Sequence, residues 1–352
     1  MISVLLVEDS PIALNILQRL LAYSPDINVV GTATNGKEAL NLLPKLKPDV
    51  VCTDMHMPVM GGLALVRAIM QSNPIPILVI SISVELNSPN VFFLLDAGAV
   101  DVYPKPQAIL EADQEWLAKD LAKKIRLVAG VKVIRRNYTK LKPSLPPIIS
   151  SVTLSASKRI IAIGASTGGP NALHEILVNL PANFPTPIIC VQHIGEGFLS
   201  EMVKWLDSVI DLSVCEATQG QYPQASVVYF APDNVHLGLD NYGRFNFSHE
   251  LPHDSHRPSV TVMLQSVARY CGASTIAVLL TGMGRDGADG MAEIAKAGGV
   301  TIAQDEASCI VYGMPKAAVE LSVVQHILPL EKIAPALIQL TENGNNRWSA
   351  LP

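Results

Sequence analysis

Short apolar runs alternate with amphipathic segments along most of the chain, and this alternation restricts the fold more than any other feature. Such a pattern is typical of βαβ units, which place their strands side by side in a parallel sheet. In the first half, strands are predicted at Ile2–Val7, Val29–Ala33, Val50–Thr53, Ile77–Ile80 and Val100–Tyr103. Helices are predicted after them at Ile12–Ala22, Lys37–Leu46, Leu63–Gln71, Val91–Ala97 and Glu111–Val128. Five repeats of this length indicate a small doubly wound domain.

The second half repeats the pattern on a larger scale. Its predicted buried strands are Ile160–Ile163, Ile188–Gln192, Thr275–Leu280 and Val300–Ala303. Three short segments between them are separated by turn residues and predict an antiparallel excursion: Val227–Phe230, Val235–Leu239 and Arg244–Phe247. The predicted fold class is therefore α/β, with two doubly wound domains whose sheets are mostly parallel.

The distribution of charge locates the boundary between the two halves. No Asp or Glu occurs between Asp120 and Glu175, whereas Lys and Arg recur there. Within this interval "KPSLPPIISSVTLSAS" has the Pro and Ser content of an exposed connector. We therefore predict domains at 1–125 and 157–345, joined by a basic linker at 126–156. A basic linker also permits contact with nucleic acid, but a solvated tether is the favoured interpretation, and the net charge of −5 gives no reason to expect nucleic-acid binding.

Composition favours a cytoplasmic protein. No run approaches the roughly 18 apolar residues of a membrane-spanning helix, so no membrane insertion is predicted. The N-terminal stretch lacks the basic region of a signal peptide and is instead predicted to be the first strand. The five scattered cysteines form no C-x-x-C pair, which indicates buried thiols in a reducing compartment.

Acidic residues follow two predicted strands of the first domain. Glu8 and Asp9 follow the first strand, and Asp54 follows the third. Because the carboxyl ends of neighbouring parallel strands face one crevice, these carboxylates are expected to converge. A cluster of like charges requires a cation, and carboxylate oxygens suit Mg²⁺. Ser81 and Lys105 follow the fourth and fifth strands and would complete a pocket for a phosphoryl group, with Asp54 placed to accept it.

Each of these acids has a second interpretation as a helix cap, because Asp9, Ser10 and Pro11 would begin a helix well. Five polar side chains at strand ends favour a site over separate caps. The segments "VLLVEDSP", "DVVCTDMHMPVMGG", "ILVIS" and "YPKP" moreover resemble the response-regulator receiver family. The resemblance covers about the first 125 residues.

This resemblance implies a flavodoxin-like receiver that takes a phosphoryl group from a sensor histidine kinase. It implies that Asp54 is the phosphoacceptor, that Glu8 and Asp9 hold Mg²⁺ together with Asp54, and that Ser81 and Lys105 contact the phosphoryl group. The chain departs from the family at Val102, where many receivers carry an aromatic residue. An aromatic rotamer switch is therefore not predicted.

The segment "IIAIGASTGGP", residues 160–170, contains the pattern G-x-S-x-G. Glycine-rich turns between a strand and a helix either bind phosphate on backbone N–H groups or expose a nucleophilic serine. A serine needs a neighbouring base, and both His193 and Asp286 lie just past predicted buried strands. If these strands are parallel neighbours, His193 would accept the proton of Ser166 and Asp286 would orient the imidazole. The spacing also permits a satisfied core histidine and a helix-capping aspartate.

A second histidine pattern is a weaker candidate. "HELPH", residues 249–253, matches the zinc pattern H-E-x-x-H, which requires both histidines on one helical face. Pro252 lies inside the motif, and Gly243 and Pro258 flank it, so a loop is predicted there. Zinc catalysis at this segment is not favoured.

Six ordered segments resemble the catalytic domain of chemotaxis protein-glutamate methylesterases: "IAIGASTGGP", "VQHIGEGF", "YFAPDNVHL", "HRPSV", "LLTGMGRDGADG" and "QDEASCIVYGMPKAA". This resemblance implies that Ser166 is the nucleophile, His193 the general base and acid, and Asp286 the orienting carboxylate. It implies that the backbone N–H of Met283 lines the oxyanion hole, and the geometry of the turn suggests the N–H of Thr167 as a second donor.

The resemblance implies a hydrolase that removes methyl esters from receptor glutamates and releases methanol, with glutamine deamidation as a second activity. Its substrates would be methyl-accepting chemotaxis receptors, and the esterase site would need no metal. Two departures are Gly195-Glu196, where relatives often read Pro-Pro, and Thr261, where an acid is frequent. A receiver that covers the crevice until it is phosphorylated is the expected regulation. A phosphorylation-controlled interaction module without catalysis is the alternative.

Overall fold

The computed structural model describes residues 1–82, 91–106, 114–133 and 159–342. It contains two α/β units, each built on its own parallel sheet. The predicted fold class is therefore confirmed. The predicted linker is described only as far as residue 133, and the predicted domain limits stay predictions.

The first unit has a five-stranded parallel sheet. Its strands are β1 (Ile2–Val7), β2 (Ile27–Ala33), β3 (Val50–Thr53), β4 (Ile77–Ser81) and β5 (Asp101–Pro104). They lie in the order β2-β1-β3-β4-β5. The helices are α1 (Pro11–Ala22), α2 (Gly36–Leu46), α3 (Gly62–Ser72), α4 (Phe92–Asp96) and α5 (Gln114–Ala129). All predicted elements are present, and their described ends differ from the prediction by one or two residues. The predicted start of the last helix, Glu111, lies outside the described residues.

At the start of α1, Ser10 caps the helix, and the neighbouring Asp9 does not. The hydroxyl of Ser10 accepts a hydrogen bond from the N–H of Ala13, and Pro11 occupies the first helical turn. Ser10 is therefore the cap, as its side chain satisfies one of the free N–H groups of the first turn. The exposed Asp9 is not used for this purpose.

The second unit has a seven-stranded parallel sheet. In chain order its strands and one hairpin are β6 (Ile160–Ala165), β7 (Ile188–Gln192), β8 (Ser213–Glu216), β9 (Val227–Phe230), β10 (His236–Leu239), β11 (Phe245–Ser248), β12 (Thr275–Leu279), β13 (Val300–Gln304) and β14 (His326–Leu328). The sheet order is β14-β13-β12-β6-β7-β9-β8, and β10 pairs with β11 in a separate two-stranded sheet. The helices are α6 (Gly169–Leu177), α7 (Leu199–Val209), α8 (Val260–Cys271), α9 (Ala288–Lys296), α10 (Met314–Glu320) and α11 (Leu330–Glu342).

The predicted antiparallel excursion is correct for two of its three segments. β10 and β11 form an antiparallel hairpin. The assignment of Val227–Phe230 to that excursion was wrong, because β9 lies in the main sheet between β7 and β8 and pairs parallel with both. The edge strands β8 and β14 were not predicted, since both are short and only partly buried.

The two units contact each other through α4, α5 and the end of β5. The ring of Phe92 in α4 stacks on Trp205 in α7, with centroids 5.6 Å apart. Lys124 of α5 donates to the hydroxyl of Thr167 at 3.2 Å. Gly195 lies so close to Pro104 that a Cβ atom there would come within 3.1 Å of the proline Cδ. One apolar cluster accordingly contains residues of both units. Among the described helices, none is long and apolar enough to cross a membrane.

Candidate active site and acidic pocket

The acidic pocket of the first unit lies where the strand order reverses, between β1 and β3. Carboxylate oxygens of Glu8, Asp9 and Asp54 all lie within 4.8 Å of one another. The N–H of Asp54 donates to the carbonyl of Val7, which holds the two strand ends side by side. Open parallel sheets bind ligands at such positions. The predicted convergence of the three acids is present in the structure.

Lys105 reaches into this pocket from the end of β5. Its Nζ lies 2.5 Å from Asp54 Oδ2 and 2.9 Å from Glu8 Oε2. Burial raises the pKa of Glu8, and the hydrogen bond from Lys105 only partly opposes this effect. Burial also disfavours the charged form of Lys105, but hydrogen bonds to Asp54 and Glu8 outweigh it and raise the pKa of the ammonium. The lysine therefore neutralises part of a buried negative cluster.

Three converging carboxylates are hard oxygen donors, and this donor set fits Mg²⁺. Ser81 ends β4 at the same sheet edge, and its carbonyl accepts the N–H of Lys105 at 2.8 Å.

Val102 is buried in β5, whereas the hydroxyl of its neighbour Tyr103 donates to Asp120. The aromatic residue beside Val102 is thus hydrogen-bonded to α5.

The second site lies at the centre of the larger sheet. β6 has β7 on one side and β12 on the other, and both pairs are parallel. Ser166 and His193 follow β6 and β7 directly, and the N–H of His193 donates to the carbonyl of Ala165 at 2.9 Å. Asp286 lies in the loop that follows β12. The predicted strand neighbours are confirmed, and they bring all three residues to one edge.

Asp286 is almost fully buried and is surrounded by donors. Its Oδ2 lies 2.9 Å from His193 Nε2, and it accepts the Ser259 hydroxyl and the N–H groups of Val260 and Thr261. Burial opposes ionisation, but the hydrogen bond from His193 and those of the α8 N-terminus hold the pKa of this carboxyl well below its usual range. Asp286 is therefore an anion that keeps the imidazole N–H pointed at itself.

His193 contacts the Asp286 carboxylate through Nε2, so its other ring nitrogen, Nδ1, is available to take a proton. His193 Nδ1 is buried and has no hydrogen-bond partner in the described part of the chain. Ser166 Oγ makes no hydrogen bond to this nitrogen within the same residues, so the serine–histidine contact stays a prediction. An unpaired buried nitrogen is costly unless it serves a ligand or a reaction.

The serine turn depends on two glycines for its shape. A Cβ atom at Gly164 would lie 2.2 Å from Val260 Cγ1, so only glycine lets β6 pack against α8. Gly168 has φ +78°, a left-handed conformation that favours glycine. The Ser166 carbonyl accepts hydrogen bonds from Gly169 N–H and Gln192 Nε2, each at 2.8 Å. The turn is thereby fixed from both sides.

Two backbone N–H groups near Ser166 have no acceptor among the described residues, those of Thr167 and Met283. The Thr167 carbonyl accepts the Thr281 hydroxyl, and the N–H of Ser166 donates to the Thr281 carbonyl. The carbonyl of Gly282 accepts the N–H of Met314, which holds the loop before Met283. Free N–H groups on fixed loops are suited to bind an oxyanion.

The predicted loop at residues 249–253 is confirmed, because this segment forms no helix. The segment instead continues into a turn in which His253 and His256 exchange backbone hydrogen bonds. Three side chains near the base, those of Asp233, His256 and Arg257, were not singled out from the sequence, whereas Glu196 was named there only as a departure from the family. A crevice of about 220 Å³ beside His193 is lined in part by Glu196, Asp233, His256 and Arg257. Only the fold brings these residues together, since they come from separate loops.

Comparisons with known proteins give matches along nearly the whole chain, and these matches agree with one another. The family described as CheB methylesterase matches residues 161–337, and the response regulator receiver domain matches residues 4–114. A protein-glutamate methylesterase/protein-glutamine glutaminase of Nitrosospira multiformis is 40% identical over 99% of this chain and 100% of its own length. A protein of the same description from Methanospirillum hungatei is 41% identical over 97% of this chain and 99% of its own. The crystal structure of the Thermotoga maritima CheB methylesterase catalytic domain superposes with a TM-score of 0.51, at 41% identity, over 53% of this chain and all of its own.

Proposed function

Because the chain belongs to the CheB methylesterase family and carries a response regulator receiver domain, we propose that it is a phosphorylation-regulated protein-glutamate methylesterase. The observation that carries the proposal is the hydrogen bond between His193 and the buried Asp286, beside the turn that holds Ser166. The substrates are γ-methyl esters of glutamate side chains in chemotaxis receptors. The names of the relatives from Nitrosospira and Methanospirillum support methyl esters of protein glutamate as the substrate class.

The reaction proceeds through two tetrahedral intermediates. Ser166 Oγ attacks the ester carbonyl carbon while His193 Nδ1 takes the hydroxyl proton. The N–H groups of Thr167 and Met283 stabilise the resulting oxyanion. His193 returns the proton to the departing methoxide, which leaves as methanol and forms an acyl-enzyme. Water then attacks this acyl group by the reverse sequence, which frees the glutamate carboxylate and restores the serine.

Asp286 remains ionised throughout the reaction. Its carboxylate stabilises the imidazolium that forms when His193 holds the serine proton, and its four donors keep it in place. The same serine attack on a glutamine amide would release ammonia in place of methanol. This second activity corresponds to the glutaminase in the names of both relatives.

The receiver takes its phosphoryl group on Asp54 from a sensor histidine kinase. Glu8, Asp9 and Asp54 would hold Mg²⁺, which supplies charge neutralisation for the phosphoryl oxygens. Lys105 is already hydrogen-bonded to Asp54 and would transfer that contact to the phosphoryl group. Ser81 supplies a hydroxyl at the neighbouring strand end.

The unphosphorylated receiver restrains the esterase by contact. Lys124 bonds to Thr167, the residue next to the nucleophile, while Phe92 stacks on Trp205. Both contacts come from the α4–α5 face, which lies beside the end of β5 and Lys105. Phosphorylation of Asp54 would change the Lys105 contact and shift the receiver away from this position.

The test is methanol release from membranes that contain methylated chemoreceptors. Ser166→Ala should reduce kcat on the order of 10⁴–10⁶-fold if the three residues act as a unit. Ser208→Ala on the exposed face of α7 is the matched control and should leave the rate unchanged. Undiminished release from Ser166→Ala would refute the esterase assignment and favour an interaction module. Sensitivity of unphosphorylated enzyme to chelators would favour a metal hydrolase instead.

A further inference from the structure

A second imidazole covers one face of the His193 ring. The rings of His193 and His256 stack with centroids 3.8 Å apart and planes 8° from parallel. One ring nitrogen of each histidine and a carboxylate oxygen of Asp286 lie within 4.8 Å of one another. His256 is half-buried and takes no part in the reaction described above. Its position beside the proposed base therefore needs an explanation.

The backbone around His256 holds the ring in place. His256 and His253 exchange two backbone hydrogen bonds, at 2.9 and 3.1 Å, across a turn whose residues Asp254 and Ser255 have positive φ. Three residues beyond His256, the Ser259 hydroxyl donates to Asp286. One short segment thus contacts both the imidazole of His193 and the carboxylate that orients it.

The hydrogen bond to Asp286 does not by itself fix the orientation of His193. One hydrogen bond tolerates a range of angles at Nε2, so the ring can still tilt about χ2, for which histidine has a broad preference. Nδ1 lies across the ring from this bond and has no partner in the described chain. A flat ring stacked at 3.8 Å prevents this rotation, because any turn of the imidazole would bring its edge into His256.

The charge of His256 is suited to this role. Burial lowers the pKa of His256, and the neighbouring His193 lowers it further. Asp286 opposes this shift, as does a hydrogen bond to the Asp254 backbone, while Lys123 of α5 adds to it. At neutral pH His256 is therefore uncharged. A neutral ring can stack on the imidazolium that forms during the reaction, whereas a second cation would repel it.

We propose that His256 is a positioning residue for the esterase: its stacked ring sets the plane of His193 so that Nδ1 faces Ser166 while Nε2 remains on Asp286. This inference rests on the proposed function, since it assumes that His193 is the base. It assigns to His256 no contact with the reacting atoms and no proton transfer.

The experiment compares His256→Ala with His256→Phe in the full-length chain, activated with a small phosphodonor and Mg²⁺. Methanol release from methylated receptor membranes gives kcat and KM. His256→Ala should lower kcat on the order of 10- to 100-fold with little change in KM, because misplacement of a catalytic group costs rate rather than binding. His256→Phe keeps a flat ring and should recover kcat to within a few-fold of wild type. His249→Ala, an exposed histidine of the same loop, is the control and should match wild type.

A second measurement does not depend on the receptor. The rate at which a fluorophosphonate labels Ser166 should fall in His256→Ala and recover in His256→Phe. Phosphorylation of Asp54 should be equal in all variants, which shows that the receiver has folded, and the recovery of labelling in His256→Phe shows that the esterase unit tolerates substitution at this position. Wild-type kcat in His256→Ala would overturn the inference, as would a His256→Phe variant as slow as His256→Ala. If the fluorophosphonate labels the wild-type protein but no methanol is released, the proposed substrate is wrong. The positioning role of His256 is then still tested by the labelling rates of the variants.

Discussion

The acidic pocket of the receiver and the crevice of the esterase occupy the same place in two different sheets. Each lies at the carboxyl edge of a parallel sheet, where the strand order changes direction. In the receiver, the carboxylates of Glu8 and Asp54 share one cation, the ammonium of Lys105. In the esterase, Asp286 accepts four hydrogen bonds, and the unpaired groups beside it in the described part of the chain include His193 Nδ1. The pocket with converging acids is suited to a cation and a phosphoryl group, and the crevice with free nitrogens to a proton and an oxyanion.

The largest effect on this difference between the two sites is expected when the charge of Asp286 is removed. Asp286→Asn keeps the side-chain shape but favours the wrong tautomer of His193, so kcat for methanol release should fall about 10³- to 10⁴-fold. Phosphorylation of Asp54 should proceed at the wild-type rate, measured by incorporation of a labelled phosphoryl group. If both activities fell together, the two sites would not be chemically separate.

The reverse test removes the phosphoacceptor. Asp54→Asn should abolish the stimulation of methanol release by a phosphodonor and leave the unstimulated rate in place, because the esterase residues come from the other sheet. The measurement is the ratio of the rates with and without phosphodonor, which should fall to one. A ratio that stayed at the wild-type value would mean that Asp54 does not control the esterase.

A smaller effect is expected at the contact between the two units. Lys124→Ala removes the hydrogen bond to Thr167 and the ion pair with Asp101, so the unphosphorylated rate of methanol release should rise several-fold. Lys119→Ala is the matched control on the same helix, since Lys119 is exposed and pairs with Glu115 of its own helix. An unchanged rate in Lys124→Ala would place the restraint at other interface residues.

The smallest effect concerns stability against pH. Asp286 has a depressed pKa in the folded state, so its contribution to stability is present above the unfolded value near 4 and is lost as pH falls below it. Asp286→Asn cannot titrate, and its melting temperature should therefore depend less on pH between about 5 and 3. Calorimetry of wild type and variant checks this, with a predicted difference of about a few degrees. Parallel curves would contradict it.

Much of both sites could be predicted because buried parallel strands are continuous apolar runs that end in polar residues. Ser166 and His193 each follow such a run, and so do Glu8 and Asp54. The strands that were missed or misplaced lack this signal. Ser213–Glu216 is a short, half-exposed edge strand, and Val227–Phe230 looks like part of a hairpin because turns flank it.

The contacts that orient the esterase residues could not be predicted, because they join distant parts of the chain. His256 was visible in "HRPSV", but nothing in its neighbours indicates that it stacks on a residue 63 positions earlier. Gln192 ends a predicted strand, yet its bonds to the carbonyls of Ser166 and His193 follow from side-chain direction alone. Which nitrogen of His193 contacts Asp286 likewise depends on the angle at which the loop carrying Asp286 approaches.

The close approach of Gly195 to Pro104 has a consequence for how such proteins diverge. Position 104 lies next to the lysine of the acidic pocket, and position 195 lies two residues past the proposed base, so each is constrained by a different chemistry. A side chain added at 195 must be matched by a shift at 104. The two units are therefore matched to each other at this contact. If the receiver came from a relative with a bulkier residue at the position of Pro104, we expect it to pack less closely on this esterase and to control it more weakly, even with every catalytic residue intact.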